Sequence, residues 1–231
     1  MVNLRSRVTR LGVLDIGSNT IHMLIVDAAP GARPDPEAST KSTVRLMQYV
    51  KDDGSIKKSG IEAILTAVDQ CMELAEEYDI TQLLAMATSA IKEAPNSNKI
   101  LRKIEERIGQ SVTVLSGTDE ARLTFLAARR WYGWDAGRLL MLDIGGSSLE
   151  VAMGSDEEPT VALSAAAGAC RITREYLPEG TASVDELEVV RKKVRRILEP
   201  MVDAFPKSKH PAHVEMNKLN TIGGKCFFMG S

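Results

Sequence analysis

Cysteine is scarce in this sequence. Its three copies, Cys71, Cys170 and Cys226, are odd in number and far apart. That spacing excludes a disulfide framework and a cysteine-based metal site, and reduced thiols in a cytoplasmic setting fit best. Aromatic residues make up only 4% of the chain, so aliphatic side chains and methionine must fill its core. A formal net charge of −2 leaves no basic excess, which argues against a general nucleic-acid binder. No uninterrupted apolar run is long enough to cross a membrane. No signal peptide is expected either, because the basic start at residues 1–10 leads into a run that meets Asp15 too soon.

What is present suffices for a folded protein. The chain has 231 residues, 44% of them apolar, enough for one large or two modest domains with packed cores. Its most informative feature is a repeat. Residues 14–20 read LDIGSNT and residues 142–150 read LDIGGSSLE, so Asp15 and Asp143 stand 128 positions apart in matching surroundings. In each copy a short apolar run, read as a buried strand, ends in Asp-Ile-Gly. Small hydroxyl or amide residues follow, and then a second apolar run. The pattern predicts a strand–turn–strand hairpin in each half, unlike the glycine-rich turns that open helices in mononucleotide folds. Glycine can take a positive φ and lets backbone N–H groups approach an anion. A tight turn of such groups forms a concavity suited to phosphate. Ser18, Asn19, Thr20, Ser147 and Ser148 add side-chain donors. A carboxylate so close to phosphate needs a metal to bridge the two.

Four motifs in order, DIGSNTIHMLIVD, ATSAIKEAPN, LSGTDEARLTF and LDIGGSSLEV, resemble the exopolyphosphatase / guanosine pentaphosphate phosphatase family, within the superfamily that includes actin and the sugar kinases. The resemblance spans residues 10–225. It implies an α/β fold of two actin-like (ribonuclease H-like) domains with mixed sheets and flanking helices, and an active site in the cleft between them. The domains are expected at 1–133 and 134–231, the second incomplete at its C-terminal end. The implied activity is Mg²⁺-dependent removal of the terminal phosphate of inorganic polyphosphate. Hydrolysis of guanosine pentaphosphate is the alternative within the family. An ATP-dependent phosphotransferase and a non-catalytic polyphosphate- or nucleotide-binding protein are the readings from other classes.

The resemblance also assigns residues. Glu120 falls on the family's catalytic glutamate in the SGxxEAR motif, as general base on the attacking water. On its residues alone, 116–122 is an ordinary acidic helix start with Thr118 as its cap. Lys92 stands where the family has a phosphate-contacting arginine, keeping the charge without the bidentate fork. Without the resemblance, Thr88, Ser89 and Lys92 read as a helix cap and a solvated lysine. Asp15, Asp143 and Glu150 are the candidates to hold Mg²⁺, directly or through water. Gly17, Ser18, Asn19, Thr20, Gly145, Gly146, Ser147 and Ser148 are the candidates to cradle phosphate, with Ser147 in place of the family's third glycine. A family glycine and hydroxyl close to the substrate fall on Gly168 and Ser164, and the resemblance alone aims Arg45 at the cleft.

The remaining elements follow from periodicity. Residues 28–39, with three prolines, read as a loop, and 43–50 as a third strand. An amphipathic helix is expected over 59–78, with Cys71 as a small core residue. Ser183 and Glu186 form a capping-box pattern that opens a helix to residue 205, with Leu187, Val190, Val194, Ile197 and Leu198 as its buried face. Metal binding by His210, His213 and Glu215 is not expected, since a proline intervenes and no further ligands follow. Gly223-Gly224-Lys225 resembles the start of a third family turn, and the sequence departs from the family from Cys226 on, which would leave apolar surface exposed, with aggregation or a homodimer as the consequence.

Overall fold

The computed structural model describes residues 8–29, 35–178, 182–205, 220–222 and 225–229. The His210, His213 and Glu215 stretch and the Gly223-Gly224 turn lie outside the described residues. The chain divides into two compact units, 1–115 and 116–231.

In the first unit, β1 (Thr9–Ile16) and β2 (Thr20–Ala28) form the expected antiparallel hairpin, with Asp15 opposite His22. β3 (Pro36–Thr43) is added antiparallel to β2, while β4 (Gln82–Ala87) and β5 (Thr113–Val114) extend the other side in parallel. The order is β3-β2-β1-β4-β5. Between β3 and β4 runs α1 (Lys58–Glu77). The short α2 (Ser89–Lys92) and then α3 (Ser97–Ile108) follow β4. Leu14, Ile16, Ile21, Met23 and Ile25 project from one sheet face into a core completed by Ile64, Val68, Ile100 and Ile104 of the helices. Cys71 is fully buried in that core, as expected, and burial pushes its thiol up to about 11.

The third strand differs from its expected place. Residues 36–43 form it, and 46–49 make a 3₁₀ turn entered through Arg45 at φ 52°. β3 lies at the edge of the sheet, where a proline can open a strand and where no apolar alternation is demanded. Its polar, largely exposed residues therefore read as loop.

The second unit repeats the scheme. β6 (Leu139–Ile144) and β7 (Leu149–Gly154) form the hairpin, and β8 (Val161–Ala165) pairs with β7. β9 (Asn220–Ile222) and β10 (Lys225–Met229) complete the order β8-β7-β6-β10-β9. One difference is topological. The strand beside β1 is parallel to it and reached through α1, whereas β10 runs antiparallel to β6 and pairs with β9 as a hairpin.

α4 (Gly117–Tyr132) belongs with this second sheet. Ala121, Phe125 and Ala128 on one helical face meet Leu139, Met141 and Ala152 in a separate small core. The division thus falls before α4, at 115/116, and not after it at 133/134. Apolar spacing announced the helix but not which sheet it would cover. Buried Arg129 fastens its far end, donating to the carbonyls of Gly133 (3.3 Å), Gly137 (2.7 Å) and Gly154 (3.0 Å). Its guanidinium also lies 5.8 Å from the Phe125 ring and 5.9 Å from the Trp134 ring. The Trp131 and Trp134 side chains themselves are largely exposed.

α5 (Ala169–Tyr176) and α6 (Val184–Asp203) follow β8. α6 opens with the expected capping box: Ser183 Oγ accepts from the Glu186 N–H at 3.3 Å and the Glu186 carboxylate accepts from the Ser183 N–H at 2.8 Å. Its apolar stripe is not the buried face that was expected. Leu187 is exposed, Val190, Val194, Ile197 and Leu198 are half-buried, and Met201 is the residue that is buried.

Candidate active site

The two turns share a hydrogen-bond plan. In the first, the Gly17 N–H donates to Thr20 O at 3.0 Å; in the second, the Gly145 N–H donates to Ser148 O at 2.9 Å. The glycines are not needed for a positive φ, contrary to the expectation from their flexibility, since neither takes one. They are needed for space. A Cβ on Gly17 would lie 2.8 Å from Thr20 O, and one on Gly145 would lie 3.2 Å from Ser148 O. Ser147 likewise has no positive φ, so its side chain is accommodated without backbone strain, and it is buried.

Each turn is gripped from behind by the segment that follows its third strand. Val44 and Arg45 donate to Asn19 O (2.9 and 3.0 Å), and Leu46 donates to Ser18 O (2.7 Å). In the second unit Gly168 donates to Ser147 O (3.2 Å), Ala169 to Gly145 O (2.9 Å) and Arg171 to Gly146 O (3.0 Å), while Arg171 Nε adds a bond to Ser147 O (2.9 Å). In a planar trans peptide the C=O and the next N–H point in opposite directions. Carbonyls drawn back onto the supporting segment therefore aim the N–H groups of Asn19 and Thr20, and of Gly146, Ser147 and Ser148, away from it. That is the geometry of an anion cradle, built twice. The left-handed Arg45 belongs to the grip, an uncommon backbone for a side chain of its size.

Strand register sets the carboxylates. Across β6, β7 and β8, Asp143 stands opposite Glu150, and Glu150 opposite Ser164. Directly paired residues project to the same face of a sheet. Asp143 is 9% exposed and Glu150 3%. Like charges directly opposite one another on a sheet face repel, and a bound cation offsets that repulsion. The Ser164 hydroxyl donates to Glu150 Oε1 at 2.8 Å. The corresponding row in the first unit is Asp15, His22 and Lys41. There Asp15 is exposed, on the face opposite the Leu14 and Ile16 core. Of the three expected metal ligands, Asp143 and Glu150 are thus neighbours in one unit, and Asp15 belongs to the other. No group of three or more His, Cys, Asp or Glu side chains suited to a metal is found among the described residues.

His22 makes the first row pH-sensitive. Partial burial, and then Lys41, lower its pKa from the usual 6.5, with Asp15 acting in the opposite sense. The unfolded chain takes up a proton near pH 6.5 that the folded chain refuses until lower pH. Stability therefore falls as pH drops through that window. His22→Gln removes this contribution. The Tm of the variant is expected to fall less than that of the wild type between pH 7.5 and 5.5, as followed by circular dichroism.

Glu120 stands in the first turn of α4, half-buried, its N–H bonded to Ser116 O at 2.9 Å. The cap of this helix is Ser116 and not Thr118. Ser116 Oγ accepts from the Asp119 N–H at 3.2 Å and donates to Asp119 Oδ2 at 2.6 Å. The bonds that the Ser116 hydroxyl, and then its N–H, donate to the Asp119 carboxylate hold that carboxyl below its usual pKa and assign it to structure. The start of α4 meets β8: a Cβ on Gly117 would lie 2.4 Å from both Cβ and Oγ of Ser164. Glu120 is therefore delivered to the same end of the same sheet face as Asp143 and Glu150. Lys92, in the first unit, is exposed at the end of α2. Just ahead of it, the N–H of Thr88 donates to Ile16 O at 3.2 Å, and the Thr88 hydroxyl is buried without a hydrogen-bond partner. That orphan hydroxyl adjoins the first turn. In sequence it is one of the two hydroxyls in ATSA, residues 87–90.

The Ppx/GppA phosphatase family matches residues 24–222. "Exopolyphosphatase 1" of Mycobacterium tuberculosis is 51% identical over 170 residues, which cover 74% of this chain and 49% of that protein. The Mycobacterium leprae protein of the same name is 49% identical over 170 residues, 74% of this chain and 50% of its own length. The chain thus spans about half the length of these curated relatives. Among solved structures, an exopolyphosphatase from Cytophaga hutchinsonii superposes with a TM-score of 0.76 at 25% identity, over 85% of this chain and 62% of that one. A Ppx/GppA family member from Aquifex aeolicus has a TM-score of 0.67 at 22% identity, over 87% and 63%, and supports the fold alone.

Proposed function

Because the chain belongs to the Ppx/GppA phosphatase family, we propose that it hydrolyses the terminal phosphoanhydride bond of inorganic polyphosphate with Mg²⁺ as cofactor. The observation that carries this reading is the row Asp143–Glu150–Ser164 beside the start of α4, which brings two buried carboxylates and Glu120 to one end of a sheet that also ends in an anion-cradling turn. An actin-like fold for each of the two units is part of the same proposal. So is a cytoplasmic setting, which suits the free thiols of Cys71 and Cys170.

Each residue has a task. The N–H groups of the two turns orient phosphate oxygens. Asp143 and Glu150 fit a hard divalent cation, which prefers carboxylate and phosphate oxygens, and Asp15 is assigned to the same ion from the first unit. Bound there, Mg²⁺ would neutralise charge on the phosphates. Glu120 accepts a proton from the attacking water. Lys92 offsets negative charge on the transferred group. Little covalent work is asked of the protein, as expected where positioning and electrostatics dominate phosphoryl transfer.

The test is orthophosphate release with Mg²⁺ from polyphosphate, guanosine pentaphosphate and ATP in parallel. Continuous release from polyphosphate, faster than from the other two, is expected. Faster release from guanosine pentaphosphate would reassign the substrate. Retention of polyphosphate on the protein with no release from any of the three would make this a binding protein and overturn the hydrolase reading.

A further inference from the structure

The row across β6, β7 and β8 contains one residue with no task in the proposed reaction. Ser164 stands opposite Glu150, and its hydroxyl donates to Glu150 Oε1 at 2.8 Å. Its other side is occupied by the start of α4. The absent side chain of Gly117 leaves the space that Ser164 Cβ and Oγ fill, since a Cβ on Gly117 would come within 2.4 Å of both. Gly117 is three residues before Glu120, and the capping box of Ser116 and Asp119 closes that first turn with reciprocal hydrogen bonds. Ser164 therefore touches the support of both carboxylates: Glu150 by a hydrogen bond and Glu120 by packing against its helix.

We infer that Ser164 is a positioning residue that sets the Glu150 carboxylate for a divalent cation and holds that ion in register with Glu120 through the contact at Gly117. This rests on the proposed function only in naming the reaction; the metal-holding part stands apart from turnover. The physical reason is specific. The Glu150 carboxylate is 3% exposed, so protein groups and not bulk water set its direction. A hydroxyl bonded to Oε1 stops the group from rotating and leaves Oε2 with a defined direction. Groups that orient a metal ligand in this way typically govern about 10–100-fold in metal affinity. The glycine makes the arrangement exclusive, because a larger residue at 117 would drive the helix start off β8 or push Ser164 off Glu150.

The experiment compares wild type, Ser164→Ala and Ser164→Thr in the full chain. Mn²⁺ binding is followed by electron paramagnetic resonance with inorganic phosphate present, so that metal affinity is read without turnover. Phosphate release from polyphosphate is then resolved into kcat and KM, and unfolding midpoints are recorded. Ser164→Ala is expected to weaken Mn²⁺ binding roughly tenfold and to lower kcat with little change in KM, and Ser164→Thr, which keeps the hydroxyl, to recover most of both. Unchanged Mn²⁺ affinity in Ser164→Ala overturns the inference. So does a loss that Ser164→Thr fails to recover while folding as well as wild type, and so does a wild type that binds no Mn²⁺. Mn²⁺ affinity that responds to Ser164 in a protein releasing no phosphate would overturn the hydrolase proposal and leave Ser164 as the positioner of a binding site.

Discussion

Glu120→Gln is expected to lower kcat for phosphate release from polyphosphate about a thousandfold, within the range that general acid–base groups contribute. The amide keeps the shape of the side chain and cannot accept a proton from water. Little else should move. Glu120 takes no part in the α4 capping box, which is made by Ser116 and Asp119. Its neighbour Ala121 is fully buried against the sheet and fixes the turn independently. KM for polyphosphate should therefore stay within about threefold of wild type, the pattern of an interaction made in the transition state and not in the ground state. Steady-state phosphate release at saturating Mg²⁺ checks this. A variant with wild-type kcat would remove Glu120 from the chemistry. A raised KM at unchanged kcat would make it a substrate-binding group instead.

Gly168→Ala is expected to damage both binding and stability. A Cβ at this position would lie 2.4 Å from Ser147 C and Ser148 N and 2.5 Å from Ser147 N. These are backbone atoms of the phosphate turn, not the free end of a side chain, so the chain itself must shift. The shift loosens the bonds that draw the turn's carbonyls back: Gly168 N–H to Ser147 O, Ala169 N–H to Gly145 O and Arg171 N–H to Gly146 O. Overpacking of this kind costs about 1–3 kcal/mol. The N–H groups of the cradle lose their common direction, and polyphosphate affinity should fall more than about tenfold, the equivalent of losing one good charge-assisted hydrogen bond. Calorimetric titration with polyphosphate and a denaturant melt read the two effects. Unchanged affinity in Gly168→Ala would show that the turn at 145–148 does not hold the anion.

Both expectations depend on features that stood at different depths in the sequence. The hairpins were plain in it, because Asp-Ile-Gly between two apolar runs occurs twice and the ladder that results needs only local pairing. The Ser183–Glu186 box and the α1 face around Ile64 and Val68 were equally plain, being set by spacings of three and four residues. Other features were harder to read. Ser116 is hard to see as the cap of α4 because its partner at the fourth position is Asp119 and not the longer Glu or Gln of the usual box. β3 was displaced because an edge strand carries no apolar alternation. Assignment of α4 to the second sheet required knowing which apolar surface it would meet.

By itself, the sequence determined the two Asp-Ile-Gly turns and the helix that carries Glu120, since side-chain type and short-range spacing are written directly in it. The tertiary structure alone decided which groups meet. Asp143, Glu150 and Ser164 form a row only because three strands pair in one register, and a slip of a single residue would send each of them to the opposite face. The same holds for the support behind the turns. Gly168 and Ser147 are distant along the chain, and the 2.4 Å limit between them arises only when β8 returns beside β7 and delivers α5 to the back of the loop.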